Sequence, residues 1–123
     1  MTLLYIASGG AIGAVLRYMF TIGSGHIFGV NFPYGTFIVN IIGSFLMGIV
    51  VGYLAKTLPH SMDLRAFLVI GLLGGFTTFS SFSLDVVVLF ERGELLNATI
   101  YVAFSVIIAI LALFAGLYVM RQF

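Results

Sequence analysis

The residues with chemistry to offer are concentrated in one run, Gly74-Gly75-Phe76-Thr77-Thr78-Phe79-Ser80-Ser81-Phe82-Ser83, which carries five hydroxyls and three aromatic rings. It lies inside a membrane-length apolar segment, with Ala66-Phe67-Leu68-Val69-Ile70 before it and Val86-Val87-Val88-Leu89-Phe90 after it. In hydrocarbon no water reaches unpaired amides and carbonyls, so a helix broken by a glycine pair is tolerated only inside protein or beside a water-filled cavity. Phe76, Phe79 and Phe82 recur every three residues, as do Thr77, Ser80 and Ser83, giving a stripe of rings beside a stripe of hydroxyls. Carbonyls freed at such a break can coordinate a small cation. Freed amides and ring edges, which carry the positive end of the aromatic quadrupole, suit a small anion. Plainer roles compete: rings in lipid or core contact, and hydroxyls bonded back to the carbonyl one turn earlier.

Other polar residues stand in apolar surroundings. Thr36, Asn40 and Ser44 recur every four residues, which puts them on one helix face. Burying an amide without partners costs a few kcal/mol, so Asn40 is read either as interhelical glue, worth about 1 kcal/mol, or as part of a polar path. Tyr101 and Ser105 lie one turn apart in an otherwise aliphatic stretch. Arg17 is expected near the end of a helix, where it snorkels to headgroups or attracts anions at a pore mouth. Asp85 is expected at the interface or paired with a basic residue, too far from the break to serve it directly.

The elements that must hold these residues follow from composition. The 123 residues are 62% hydrophobic and 7% charged, against about a quarter charged in a soluble domain, so the chain reads as an all-α integral membrane protein. A span needs about 20 mostly apolar residues, and four fit: roughly 3–22, 34–55, 65–90 and 95–120, with the third broken near Gly74–Thr78. Short connections leave a single transmembrane domain over residues 1–123. The N-terminus lacks a basic region and no small-residue cleavage site comes after it, so no cleavable signal peptide is expected. Without cysteine there is no thiolate chemistry or disulfide. Two histidines and four acids make a protein-ligated catalytic metal an unsuitable reading, and a net charge of +1 gives no basic patch for nucleic acid.

Orientation is set by the Lys and Arg near span ends. Lys56, Arg65 and Arg121 fall on one side, Arg17 and Arg92 on the other. This near balance leaves two readings open: one weakly encoded orientation, and a chain that inserts both ways and pairs antiparallel. Gly9 and Gly13, Gly48 and Gly52, and Gly71 and Gly75 repeat at helical spacing, which lets helices approach closely and favours a tightly packed oligomer.

Three motifs in order carry a resemblance. Gly9-Gly10-x-Ile12-Gly13-Ala14-x-x-Arg17-Tyr18, Gly35-Thr36-Phe37-x-Val39-Asn40-x-x-Gly43-Ser44-Phe45, and Gly71-x-x-Gly74-Gly75-Phe76-Thr77-Thr78-Phe79-Ser80-Ser81-Phe82 resemble the Fluc (CrcB) fluoride channel family. The resemblance covers three of four helices and agrees in length and helix count. It implies a dual-topology antiparallel homodimer in the cell (inner or plasma) membrane, with two antiparallel fluoride pores. Phe79, Phe82 and Asn40 match the family's pore residues, while Ser80, Ser83, Thr36, Tyr101 and Ser105 match polar positions near the path. It further implies a structural sodium ion at the dimer centre, held by the Gly74 and Thr77 carbonyls of both subunits.

Fluoride is small and strongly hydrated, and placing a bare ion in a low-dielectric medium costs tens of kcal/mol. Two phenylalanine edges cannot offset that, so Asn40, the hydroxyls and retained water must carry most of it. No Lys or Arg falls between Ile22 and Ala55, or after Arg65 as far as Phe90, which suits a pore that must release its ion as well as admit it. A small multidrug exporter also has four helices, but it needs a membrane-embedded carboxylate. Asp63, Asp85, Glu91 and Glu94 all lie outside the first helix and mid-span. A membrane enzyme lacks an acid–base pair or metal cluster, and a purely structural subunit leaves the polar break unexplained.

Overall fold

The computed structural model describes all residues from Met1 to Phe123. Its long helices are apolar on every side, as expected of segments surrounded by lipid and protein rather than water. Helix α1 (Thr2–Phe28) and helix α2 (Tyr34–Thr57) form the first two spans. The third runs through α3 (Met62–Arg65), a π-helical stretch (Ala66–Leu73), α4 (Gly74–Phe76) and α5 (Phe79–Glu91). Helix α6 (Leu95–Arg121) is the fourth. All four spans are long and apolar enough to cross a membrane.

Two boundaries differ from the sequence expectation. Helix α1 continues to Phe28, because Gly23 and Gly25 stay helical and no proline interrupts the chain before Pro33. The remaining connection, residues 29–33, begins at Gly29, whose φ of 85° is the left-handed conformation that glycine adopts without a Cβ penalty. Gly74 and Gly75 are also helical. The backbone leaves the helix at Thr77 and Thr78, which are both extended.

The glycine pairs are spent inside the chain. A Cβ on Gly9 would lie 2.5 Å from the Phe67 carbonyl, and one on Gly75 would lie 2.7 Å from that of Gly10. A Cβ on Gly13 would fall on the Leu72 carbonyl. Backbone therefore packs on backbone where α1 crosses the π-helical stretch and α4. Gly48 and Gly116 do the same where α2 crosses α6, their Cα positions meeting each other's would-be Cβ at 3.0 Å. The repeated glycines thus account for intrachain packing and carry no separate argument for an oligomer. Lys56 closes the α2–α6 pair, donating from Nζ to the Met120 carbonyl at 2.7 Å, a cation at a helix C-terminus where the dipole favours it.

Candidate functional site

Asn40 holds the break open. Its Nδ2 donates to the Thr78 carbonyl at 2.9 Å, and its Oδ1 accepts from the Thr78 amide at 2.8 Å. The side-chain amide thus pairs with one residue's backbone as a neighbouring strand would, satisfying groups that the helix has released. Thr78 then starts α5 as its N-cap, its Oγ1 accepting from the Ser81 amide at 3.1 Å. Thr77 bonds backward, with both its amide and its Oγ1 donating to the Leu73 carbonyl at 3.0 and 2.9 Å.

These bonds decide which carbonyls are left over. In an unbroken helix the Thr78 amide would serve the Gly74 carbonyl and the Ser81 amide that of Thr77. Asn40 takes the first donor and the Thr78 hydroxyl takes the second. The carbonyls of Gly74 and Thr77 thereby lose their ladder partners, and neutral oxygens of this kind suit a hard monovalent cation, whereas a divalent ion is usually met by carboxylates.

A groove of about 260 Å³ runs beside the break, lined by Asn40, Ser44, Thr78, Phe79, Phe82 and Ser105 among others. The Ser105 hydroxyl is buried and has no hydrogen-bond partner. Asn40 uses one of its two amide hydrogens on Thr78, so the second remains. Phe82 is buried and Phe79 is 76% exposed on the single chain, their ring centroids 5.6 Å apart. The groove therefore has ring faces and edges, a spare amide hydrogen, an unpartnered hydroxyl and no charged side chain. Such a lining can replace part of a small anion's hydration shell without fixing the ion by charge.

A second space, of about 180 Å³, lies under the loop formed by residues 29–33 and is lined by Thr36, Asp85 and Arg92 as well as the loop itself. Tyr101 is fully buried between the two spaces. Its hydroxyl donates to Asp85 Oδ2 at 2.9 Å, so of the two sequence readings of Asp85, at the interface or paired with a basic residue, the second is replaced by a phenol partner.

The remaining residues singled out by the sequence scatter. Thr36 lies on the cavity side, not with Asn40 and Ser44 in the groove. Ser83 bonds back to the Phe79 carbonyl at 3.0 Å, and Ser80 stands exposed, its Oγ 3.4 Å from Thr78 Oγ1. Phe76 belongs to the part of the span before the break and stacks edge-on against Phe20 of α1, at 5.5 Å. The stripes of three rings and three hydroxyls are therefore interrupted at Thr77 and Thr78, where the helical period stops. Arg17 lies well inside α1, roughly 16 Å from its C-terminal end at 1.5 Å per residue, half-buried and without an ion pair in the chain. Residue types and spacing suggested no separate role for Thr78. The signal was a threonine three residues before the serine whose amide it caps, at the point where a helix restarts.

Comparison with known proteins identifies the family. Residues 4–117 match the model of the family described as CrcB-like protein, camphor resistance (CrcB). A protein of Agrobacterium fabrum named fluoride-specific ion channel FluC is 54% identical over 112 residues, covering 91% of this chain and 90% of that protein. One of Rhodospirillum centenum with the same name is 50% identical over 119 residues, covering 97% and 94%. With a family match over nearly its whole length and half its residues shared with proteins of that name, this multi-pass membrane protein belongs to the CrcB (Fluc) family.

Proposed function

We propose that the chain is a fluoride-selective ion channel, not an enzyme, which lets fluoride leave the cell passively down its electrochemical gradient and so limits fluoride toxicity. The observation that carries this is the unpartnered Ser105 hydroxyl, buried in a ring-lined groove beside the spare amide hydrogen of Asn40. A buried donor with no acceptor is an expense unless an acceptor passes through. The relatives named for fluoride conduction supply the identity of that acceptor. Fluoride efflux from liposomes holding the purified protein, with chloride as control, tests the reading. Efflux no faster than from protein-free liposomes would overturn it.

In this reading Asn40, Phe79, Phe82 and Ser105 line the path, and Thr36 and Tyr101 flank its continuation toward the loop. Ser80 and Ser83 stand on the helix that restarts at the break. Two chains of opposite orientation form a dimer in the cell (inner) membrane, each supplying one of two antiparallel pores. The near balance of Lys and Arg between the two sides supports this arrangement. Because the chain has no cysteine, one appended after Phe123 is a clean topology probe. It should be labelled from both sides of the membrane, and labelling from one side alone would rule out dual topology.

At the dimer centre a structural sodium ion would be held by the Gly74 and Thr77 carbonyls of both chains. The fit rests on those carbonyls having lost their helical donors. Bound there, the ion contributes a fixed positive charge between the two breaks. A dimer structure with no cation density between the breaks would count against it.

Arg17 is half-buried at bilayer depth without an ion pair in its own chain, and a lipid-facing arginine there is costly. It is read as facing a water-filled vestibule, where it raises the local anion concentration. Arg17→Gln should lower flux and make it less sensitive to ionic strength. Flux unchanged on both counts would leave Arg17 no part in conduction.

A further inference from the structure

Thr78 stands where the third span restarts, and nearly all of its polar groups are taken. Its amide and carbonyl both pair with the Asn40 side chain. Its hydroxyl oxygen accepts from the Ser81 amide at 3.1 Å. A threonine hydroxyl also has one hydrogen to give, and that hydrogen is the one polar atom of the residue without a good partner.

Elsewhere in the molecule such a hydrogen goes to the carbonyl one turn back. Thr77 gives its own to Leu73 at 2.9 Å, Ser83 to Phe79 at 3.0 Å and Thr99 to Leu95 at 2.8 Å. Thr78 makes no bond of this kind, because it is the N-cap of α5 and its backbone is extended rather than helical. The one oxygen that its hydroxyl meets is Ser80 Oγ at 3.4 Å, beyond the roughly 2.5–3.0 Å of a well-formed O–H···O bond. Thr78 is also buried, with 8% of its surface exposed. A buried donor without a proper acceptor is destabilising.

Independent observations say what the acceptor is. Thr78 lines the groove together with Asn40 and Ser105. Ser105 is itself only 6% exposed, and its hydroxyl has no partner. The spare amide hydrogen of Asn40 is held next to Thr78 by the two bonds between them. Three unused hydrogens thus border one space that contains no charged side chain. The amide bond from Ser81 polarises the Thr78 hydroxyl and strengthens it as a donor. Helix α5 begins at the same point, and the N-terminal end of a helix favours negative charge.

On the reading of the groove as the anion path, we infer that the Thr78 hydroxyl donates to fluoride in transit. It is the third donor of a site that it forms with the Asn40 amide and the Ser105 hydroxyl. The hydrogen turns to the ion as the ion sheds water, and turns back toward Ser80 when the ion leaves. Rotation about a single bond is enough, and the cap bond from Ser81 stays in place throughout.

Initial fluoride efflux from liposomes holding equal amounts of folded protein tests this through Thr78→Val, Thr78→Gly and Thr78→Ser. Valine keeps the shape of threonine but loses the donor and the cap together. Glycine loses the donor yet caps a helix almost as well as threonine, and serine keeps both. The valine and glycine variants should each conduct about tenfold more slowly than the wild type, equivalent to about 1.4 kcal/mol on the barrier. Serine should restore the rate. Melting temperature reports the cap alone, so valine should lower it more than glycine does. A glycine variant that conducts at the wild-type rate would overturn the donor, leave Thr78 only its cap, and leave the channel reading standing. A serine variant as slow as valine would also overturn it, since the hydroxyl is present there. If the valine variant does not fold, glycine and serine decide. No efflux through the wild type would overturn the donor and the channel reading together.

Discussion

Asn40→Asp should abolish fluoride flux. Two effects act in the same direction. The substitution replaces an amide donor with a negative charge beside the groove, in surroundings where repulsion of an anion is poorly screened. It also takes away the hydrogen that Nδ2 gives to the Thr78 carbonyl and sets two oxygens against each other across that 2.9 Å contact. Asn40→Ala separates the effects, because it removes both bonds to Thr78 without adding charge. Each backbone group orphaned in a buried place costs about 1–3 kcal/mol, so the alanine variant should melt at lower temperature in detergent as well as conduct less. Thermal melting and gel filtration of each variant, with efflux measured afterwards, distinguish the outcomes. An aspartate variant that folds and conducts normally would remove this face from the path. An alanine variant as stable as the wild type would mean that Asn40 does not hold the break.

Gly116→Ala should be among the most damaging single-methyl changes in the chain. Its Cβ would fall on the Phe45 carbonyl, with the Ile49 amide at 2.9 Å and the Gly48 Cα at 3.0 Å. All three neighbours are backbone, so none can swing aside, and α2 and α6 would have to separate along their whole crossing. Overpacking a well-packed interior typically costs about 1–3 kcal/mol, and a backbone obstacle should place this variant at the upper end or beyond. Gly23→Ala is the internal control. It lies in α1 with nothing within 4 Å of the added methyl, and alanine is favoured over glycine in a helix interior by roughly 0.5–1 kcal/mol. Melting temperatures of the two variants should therefore move in opposite directions. A Gly116→Ala protein as stable as the wild type would mean that the two helices do not cross at this distance.

The amino-acid sequence determined the number of spans, because twenty-odd apolar residues in a row have few other uses and short polar stretches mark the connections between them. It also located the interruption of the third span to within a few residues, at the glycine pair Gly74-Gly75, although the backbone leaves the helix only at Thr77 and Thr78. Three motifs in order were enough to recognise the family. Local pattern could not tell where the helical period stops. The stripes of rings and hydroxyls assumed one continuous helix. The extended pair Thr77 and Thr78 instead rotates α5 relative to α4, so that Phe76 packs on Phe20 while Phe79 and Phe82 line the groove. Only the tertiary structure chose partners. Asn40 meets a backbone 38 positions away, Tyr101 meets Asp85, and Gly9 meets Gly71 and Gly48 meets Gly116 within the chain. Spacing along a helix fixes which side a residue faces, whereas its partner is set by which helix arrives there and at what distance. That distance is decided at the glycine crossings, and the polar residues are positioned as a consequence.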